Sequence, residues 1–226
     1  YEIPEGSKQS KGMNVVNLLP LEGDEKVSSM IRVPDFGGED IKYLCMVTRK
    51  GIIKRTDLEQ YKNLRKNGII AINLDEDDEL AWTRLTDGND DILVATRCGM
   101  SIRFNENDAR PLGRTASGVR AIKLREGDKV VGMTLCREEA DILTVTENGF
   151  GKRSEFSDFE SRNRGIFGVR AHNVNDKTGK LATIGAVTVD EDIMAITDAG
   201  VVIRTHVDEV PVYNRSASGV RVIRIS

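Results

Sequence analysis

The sequence has 226 residues, of which 39 % are hydrophobic and 31 % charged, and its formal net charge is −3. A chain of this length and composition is globular and buries its own core, which excludes a disordered or fibrous protein. It contains no apolar run of 18 residues, no secretory signal at its start and no CxxC spacing among its three cysteines. We therefore expect no membrane span, no disulfide or zinc site and a cytoplasmic location. The missing initiator Met suggests a fragment of a longer polypeptide.

The predicted elements begin with GMNVVNL at 12–18 and EKVSSMIRV at 25–33, two segments typical of strands. A hairpin segment, YLCMVTRKGIIKRT at 43–56, follows them. The hairpin type recurs as DILVATRCGMSIRF at 91–104, DILTVTENGFGKRS at 141–154 and DIMAITDAGVVIRT at 192–205. Segments similar to GMNVVNL and EKVSSMIRV recur between and after the hairpins. They run from GIIAINL at 68–74 and ELAWTRL at 79–85 to GVRVIRI at 219–225. The chain is therefore an array of repeats about 50 residues long.

Each hairpin segment carries a threonine that is followed three residues later by a glycine. The four pairs are Thr48 and Gly51, Thr96 and Gly99, Thr146 and Gly149, and Thr197 and Gly200. Glycine supplies the positive φ that a tight hairpin turn requires, and β-branched residues beside the turn favour strands. The segments between the hairpins alternate apolar and polar residues, and none has a helical stripe longer than a turn or two.

Four short strands in a repeat of about 50 residues are typical of a propeller blade. Blades must stack, because one blade alone cannot bury both of its faces. We therefore predict an all-β, propeller-like disc of four-stranded blades, with about four full repeats and one extra strand. The predicted repeats are 8–60, 61–112, 113–160 and 161–213, followed by a terminal strand in 214–226, all within one domain, 1–226.

The residues that could carry catalysis are few and scattered. His172 and His206 lie in different repeats without a cysteine or carboxylate at ligand spacing, and we interpret both as surface or packing residues. No nucleophile elbow, phosphate loop or zinc-protease motif is present. The acidic run from Asp75 to Glu79 lacks the spacing of a calcium loop and is interpreted as a solvated turn. We expect no catalytic residue, metal or cofactor in this chain.

Basic residues, in contrast, recur at equivalent places in the repeats. An arginine stands four positions after each hairpin glycine, and a lysine precedes it in two repeats. These residues are Arg55, Arg103, Arg153 and Arg204, with Lys54 and Lys152. A second group lies just before the next type of glycine: Lys8, Lys11, Arg65, Lys66, Arg114, Arg162, Arg164 and Arg215. A third group follows those glycines by two residues: Arg120, Arg170 and Arg221. In stacked blades equivalent positions form a belt, so we predict a basic rim on a chain that is acidic overall.

A single exposed arginine most often pairs with a nearby carboxylate, which contributes less than about 1 kcal/mol. Four arginines at the same position of successive repeats favour DNA binding instead. The backbone of duplex DNA is a periodic line of negative charge, which a belt of basic residues neutralises. Such contacts position and bend DNA without reading its bases. Aromatic residues, at 5 %, are too scarce to favour single-strand binding by stacking.

The stretch YEIPEGSKQSKGMNVVNLLPLEGDEKV, together with repeats of the form VT..G..KR and SGVRAIKL, resembles the C-terminal domain of bacterial DNA gyrase A. The resemblance covers essentially the whole chain. It implies a β-pinwheel, a disc of four-stranded blades in which neighbouring blades exchange strands. It also implies that duplex DNA wraps around the basic outer edge, so that the holoenzyme, a type II topoisomerase, introduces negative supercoils at the expense of ATP.

Carried over by position, the resemblance implies a set of residues that face the DNA. These are Lys54, Arg55, Arg65, Lys66, Arg103, Arg114, Lys152, Arg153, Arg162, Arg164, Arg204 and Arg215. The implied partners are duplex DNA, bound without sequence preference, and the remainder of gyrase A together with gyrase B in a heterotetramer. The active-site tyrosine, the ATPase and the ATP and Mg²⁺ that the holoenzyme uses would lie outside this domain.

Two features depart from the family, which normally has six blades and carries a Gln-Arg-Arg-Gly-Gly-Lys-Gly box in the first. The nearest string here is KQSKG at 8–12, so we expect weaker DNA binding than in the intact domain and no supercoiling by this chain alone. One alternative is the C-terminal domain of the paralogous topoisomerase IV protein, which lacks the box. The other is a propeller that binds proteins, although neither a WD dipeptide nor a kelch pattern is present. Steep salt dependence of duplex binding would favour DNA wrapping over the protein scaffold.

Overall fold

The computed structural model describes residues 4–34, 36, 40–65, 67–198 and 200–223. In this part of the chain, strands numbered in chain order form three four-stranded antiparallel sheets and one two-stranded sheet. Blade 1 contains β1 (Tyr43–Thr48), β2 (Ile52–Asp57), β3 (Leu80–Thr86) and β6 (Val119–Arg120). Blade 2 contains β4 (Asp91–Thr96), β5 (Met100–Asn105), β7 (Val130–Leu135) and β10 (Val169–Arg170). Blade 3 contains β8 (Asp141–Thr146), β9 (Phe150–Ser154), β11 (Leu181–Val187) and β14 (Val220–Arg221). Blade 4 contains β12 (Asp192–Ile196) and β13 (Val202–His206).

The four predicted hairpins are confirmed as β1–β2, β4–β5, β8–β9 and β12–β13. In each turn the threonine hydroxyl accepts a hydrogen bond from the first N–H after the glycine, as from Ile52 to Thr48 at 3.2 Å. The φ angle of Gly51 is 80°, in the region that strains other L-residues. Threonine and glycine recur at this spacing because together they close the turn.

Neighbouring blades exchange strands, as the resemblance implies. The chain forms β1, β2 and β3 of blade 1 and then the hairpin β4–β5 of blade 2. It then returns to blade 1, where β6 pairs with β2 at the edge of the sheet. Strands β10 and β14 join β5 and β9 of the preceding blade in the same way. Gly168 opens one of these exchanged segments with φ at 71°, and a Cβ there would collide with the main-chain oxygen of Ser101. Glycine is therefore required where the exchanged strand approaches its hairpin.

The two edges of each blade lie at the centre and at the periphery of the disc. Strand β7 packs against both β3 and β11, so these three strands are the innermost ones. The opposite edges consist of β6, β10 and β14. We call these three outermost strands, with the segments that lead into them, the rim.

The hydrophobic core lies between successive blades. Val47 of β1 packs with Ile92 of β4 between blades 1 and 2, whereas Met46 points to the other face of blade 1 and packs with Ile72. Leu93 of β4 likewise packs with residues of blade 3. The hairpin strands are therefore covered on both faces, and each buried aliphatic side chain contributes about 1.5–3 kcal/mol relative to an exposed one.

The predicted strands at 12–18, 25–33 and 68–74 are not strands in the structure. The described residues there form the 3-10 helix Val15–Asn17 and irregular chain. In the later repeats these two types of segment pair with a hairpin that precedes them, and the described residues before β1 form no such hairpin. An isolated strand leaves its backbone groups unpaired, so these segments have no reason to extend.

Short 3-10 helices follow each hairpin where the sequence predicts charged connections. Their bounds are Leu58–Tyr61, Glu106–Asp108, Phe156–Asp158 and Val207–Glu209. No α-helix occurs in the described part of the chain, and within it no helix has the length and apolar character needed to cross a membrane.

Candidate nucleic-acid interface

Three exposed arginines occupy the outermost strands of the three complete blades. Arg120 lies on β6, Arg170 on β10 and Arg221 on β14, each two residues after the glycine that opens the exchanged segment. Each pairs with the first residue after a hairpin turn, as Arg170 does with Met100. The exchange of strands therefore places one arginine at the same point on the periphery of each blade.

Three further arginines join one rim segment to the next. Arg164 donates hydrogen bonds to the main-chain oxygens of Arg120, at 3.0 Å, and Asp108, at 2.8 Å. These bonds hold the segment that leads into β10 against β6. Equivalent bonds join Arg215 to the main-chain oxygens of Arg170 and Asp158, and Arg114 to that of Ile70.

We call these six residues the rim track: Arg114, Arg120, Arg164, Arg170, Arg215 and Arg221. Among the described residues, none of the six is in a salt bridge with a carboxylate. The hydrogen bonds of Arg114, Arg164 and Arg215 to main-chain oxygens fix these three side chains without cancelling their charge. The predicted positions of Arg114, Arg164 and Arg215 on the rim agree with the structure, and their contact with DNA stays a prediction.

A cleft of about 610 Å³ opens on the rim between blades 2 and 3. Arg170 and Arg215 line it, together with Arg125, which follows β6 of blade 1. Three cations around one opening favour an anion such as a phosphate group.

The predicted place of Lys54 and Lys152 on the rim is wrong, because both side chains are buried. The ammonium group of Lys152 donates to the main-chain oxygens of Ala171 and Arg215, each at 3.0 Å, and to the hydroxyl of Ser154. Lys54 makes equivalent bonds to the main-chain oxygens of Ala71 and Arg114. Burial lowers the pKa of each ammonium group to about 8. These lysines therefore hold the backbone from which two track arginines extend.

The same correction applies to Arg55 and Arg153, which are also buried. Arg153 is 2.7 Å from the carboxylate of Asp141 and donates to the main-chain oxygen of Val210, also at 2.7 Å. Arg55 is in a buried salt bridge with Glu106 at 3.0 Å. We call these two, with Arg103, the clamp arginines, because each ties a hairpin to the chain that follows the next hairpin.

Arg103 is a clamp arginine whose side chain is 18 % exposed. It pairs with Asp91 at 2.6 Å and donates to the main-chain oxygen of Phe159 at 2.9 Å. Its guanidinium also lies 3.7 Å from the ring centre of Phe156. These contacts leave it little access to a ligand, so its predicted role at the DNA is not supported by its position.

The remaining predicted residues are mostly exposed. Arg204 corresponds to the clamp arginines, but its side chain is 72 % exposed in the two-stranded blade 4. Its Nε donates to Asp192 at 3.0 Å, and this bond lowers the pKa of the Asp192 carboxyl. Arg162 is exposed and pairs with Glu160 at 3.1 Å. Arg65 is exposed as well, and Lys66 lies outside the described residues.

Acidic residues concentrate at the turns at the ends of the strands. Asp78, in the predicted acidic turn, accepts the N–H of Lys50 at 2.9 Å beside the first hairpin turn. Asp128 accepts the N–H of Cys98 at 3.0 Å in the equivalent place of blade 2. These two carboxylates therefore lie at strand ends away from the rim track, and the separation of charge over the whole surface stays a prediction.

The third sequence group, Arg120, Arg170 and Arg221, was not among the residues predicted to face DNA. Its signal is the alternation in GVRAIKL, where Val119 and Ala121 alternate with Arg120. An arginine with apolar neighbours on both sides points away from the core of an edge strand. For two of the clamp arginines the sequence indicates a paired side chain, because an aspartate lies twelve residues before Arg103 and also before Arg153.

The fold and the rim define a class of protein: a propeller-like disc whose blades exchange strands and whose outer edge carries a regular line of arginines. The profile of the family "DNA gyrase C-terminal domain, beta-propeller" matches residues 1–34, 42–87, 90–137, 140–188 and 191–226. The chain belongs to this family, which confirms the resemblance and the predicted all-β fold.

Relatives and solved structures agree with this assignment. The DNA gyrase A protein of Halalkalibacterium halodurans is 55 % identical over 226 residues, covering 100 % of this chain and 27 % of the relative. The corresponding protein of Clostridium acetobutylicum is 49 % identical over 224 residues, covering 99 % of this chain and 27 % of the relative. The chain thus spans about a quarter of the length of these relatives.

Among solved structures, a DNA gyrase A C-terminal domain has a TM-score of 0.86 at 26 % identity, covering 96 % of this chain and 73 % of that one. The C-terminal domain of DNA topoisomerase IV has a TM-score of 0.86 at 26 % identity, covering 94 % of this chain and 66 % of that one. The fold is therefore common to both kinds of topoisomerase, and the sequence relatives named above are gyrase proteins.

Proposed function

We propose that this chain wraps duplex DNA around its rim as the DNA-binding part of gyrase A in the bacterial cytoplasm. The rest of gyrase A and its partner gyrase B would supply strand passage and ATP hydrolysis, so that wrapped DNA is converted into negative supercoils. The observation that carries the proposal is the rim track, six arginines that repeat with the blades and are in no described salt bridge.

The track suits the sugar–phosphate backbone better than base edges. Arg164 and Arg215 use part of their guanidinium groups to bind main-chain oxygens, which fixes their direction and leaves their charge available. Fixed cations on a curved edge neutralise phosphates and release counterions wherever the duplex follows the curve. Because phosphates carry no sequence information, binding is expected to be independent of sequence.

The number of track residues sets the expected salt dependence. Each neutralised phosphate contributes about 0.9 to the slope of log K against log salt, so six contacts give a slope of about −5. The track lets a chain with a net charge of −3 bind an anionic polymer along its rim.

Binding of a 40-base-pair duplex over a range of salt concentrations tests the proposal. Arg170→Gln should lower the slope by about 0.9. Arg97→Gln is the matched control, because Arg97 is a half-exposed arginine at a hairpin turn, paired with Glu147 at 2.8 Å. A wild-type chain that binds no duplex at low salt, or binds with a flat salt response, would contradict DNA wrapping and favour the protein scaffold.

A second experiment addresses the choice between gyrase and topoisomerase IV, which rests on the sequence relatives. The full-length protein that contains this domain is combined with gyrase B, ATP and relaxed circular DNA. Negative supercoils are the expected product. Decatenation without supercoiling would support the topoisomerase IV alternative.

A further inference from the structure

One segment of the rim departs from its equivalents in the other repeats. Between the track arginine and the glycine that opens the exchanged strand, the chain has Thr-Ala-Ser at 115–117 and Ser-Ala-Ser at 216–218. The segment that leads into β10 has Gly165, Ile166 and Phe167 instead. Ile166 is 43 % exposed and Phe167 is 39 % exposed. Two large apolar side chains thus project where the other two rim segments have small ones.

The backbone of this segment follows the same path as its equivalents. The main-chain oxygen of Ile166 accepts the N–H of Lys123 at 2.8 Å. Ala116 and Ala217 accept the equivalent bonds, at 3.1 Å each. Because the path is unchanged, the apolar side chains are an addition to a rigid rim and not the result of a rearranged loop.

The apolar pair lies inside the rim track. Arg164, two residues before Ile166, is bonded to Arg120 on one side, and Arg170 follows Phe167 by three residues on the other. Any duplex that follows the track from Arg120 to Arg170 must therefore pass over Ile166 and Phe167.

Two basic residues accompany the change. Lys123 and Arg125 lie 4.8 Å and 5.6 Å from the ring centre of Phe167, within the range of cation–π attraction. The equivalent positions hold Asn73 and Asp75 in the preceding repeat, Asn173 and Asn175 in the following one, and Arg224 and Ser226 in the last. The two cations hold the ring in place and add positive charge beside the apolar pair at this place on the rim.

We propose that Ile166 and Phe167 form a wedge that enters a groove of the wrapped duplex and kinks it between blades 1 and 2. The proposal rests on the proposed function, and the occupant is duplex DNA because cations surround the apolar pair. Apolar side chains that enter the minor groove partly unstack a base step and bend the duplex by about 20–90°. Because such a kink is directed toward the major groove, a wedge that enters the minor groove from the rim would turn the duplex away from the rim at one step and interrupt the smooth wrap between blades 1 and 2.

The test uses Ile166→Ala/Phe167→Ser, which restores the residues found at 116–117 and 217–218 and removes no charge. Ile166→Ala alone keeps the contacts of Phe167 with Lys123 and Arg125. Any effect of this variant on DNA bending therefore does not come from the loss of those contacts. Val189→Ala is the control, because Val189 is an exposed apolar residue in the turn after the innermost strand β11. The melting temperature of each variant checks folding.

Two readouts are measured on a duplex of about 40 base pairs: the end-to-end distance by energy transfer, and the preference for a duplex with one central mismatch. A mismatched step unstacks easily, so the wild type and Val189→Ala should prefer it by about five- to tenfold and bend it. The double variant should lose the preference and the outward kink of at least about 20°, so that the duplex ends lie closer together, with an unchanged salt slope. Ile166→Ala should lose part of both.

The other outcomes separate the wedge from the proposed function. A double variant that bends DNA and prefers the mismatch as the wild type does would overturn the wedge and leave wrapping intact. A double variant with a smaller salt slope would also overturn it, because the residues would then act by placing the arginines. A wild-type chain that binds no duplex would overturn both.

Discussion

The guanidinium of Arg164 donates a hydrogen bond of 3.0 Å to the main-chain oxygen of Arg120, which fixes arginines from successive blades side by side on the rim. A second bond, from its Nε to the main-chain oxygen of Asp108, sets its direction. The spacing of positive charge along the rim is therefore determined by the backbone of the blades and not by flexible side chains.

Arg164→Lys is expected to lower the stability of the fold without changing the salt dependence of DNA binding. Lysine keeps the positive charge but has a single nitrogen, so it cannot bond both oxygens in the same planar arrangement. The free energy of unfolding in urea should fall by about 1–2 kcal/mol, while the salt slope of duplex binding stays the same. Arg162→Lys, at an exposed arginine two residues away, should change neither quantity. A smaller slope for Arg164→Lys would contradict the expectation that the charge at this position alone sets its contribution to the salt dependence.

Glu106→Gln is expected to be strongly destabilising. The Glu106 carboxylate is buried and accepts hydrogen bonds from Arg55, the Thr86 hydroxyl and the N–H groups of Gly88 and Asp90. Loss of its charge leaves the buried Arg55 uncompensated, which costs about 3–5 kcal/mol. Urea denaturation measures the loss, with Glu160→Gln at an exposed pair as the control. A loss below about 1 kcal/mol would show that the clamp does not stabilise the fold.

His172 is expected to make stability depend on pH between about 4 and 6.5. Its Nε2–H donates to the main-chain oxygen of Ser218 at 2.9 Å, and its Nδ1 accepts from the Thr144 hydroxyl at 3.0 Å. Burial, with the nearby Lys152, lowers the pKa of the imidazole from 6.5 to about 4. The unfolded chain therefore takes up a proton at a higher pH than the folded one. Stability is lost as pH falls from about 6.5 to 4, by at most about 3 kcal/mol.

His172→Ile tests that dependence, because Ile122 and Ile223 occupy the equivalent positions in the neighbouring repeats. The difference in unfolding free energy between wild type and variant should shift in favour of the variant as pH decreases through this range. Carboxylates that titrate over the same range contribute to both proteins and cancel in the difference. A difference that is constant with pH would show that His172 is not held neutral by the fold.

The repeat and its hairpins could be predicted from the sequence because their causes are local. Thr48 and Gly51 close a turn through bonds within five residues, and the same spacing identifies the other three hairpins. The irregular structure of the segments at 12–18 and 68–74 could not be predicted, because segments of this type form strands only when they pair with a hairpin elsewhere in the chain.

The site was predicted in part for a related reason. Arg55 and Arg120 both recur with the repeat, and periodicity alone gives no difference between them. Arg55 lies on a hairpin strand that neighbouring blades cover on both faces, so it must be buried and paired. Arg120 lies on an exchanged edge strand. The order of strands within each blade, set by long-range pairing, decides which of the two is exposed.

The salt dependence of duplex binding by Arg120→Gln/Arg170→Gln/Arg221→Gln tests the central claim most directly. The account predicts that the slope of log K against log salt falls by about 2.7 while each substitution changes stability by no more than about 0.5 kcal/mol. The control, Arg97→Gln/Lys129→Gln/Lys180→Gln, removes the same charge at exposed residues of hairpin turns or before the innermost strands, and its slope should match that of the wild type. An unchanged slope for the rim variant, or an equal loss in both, would contradict the account.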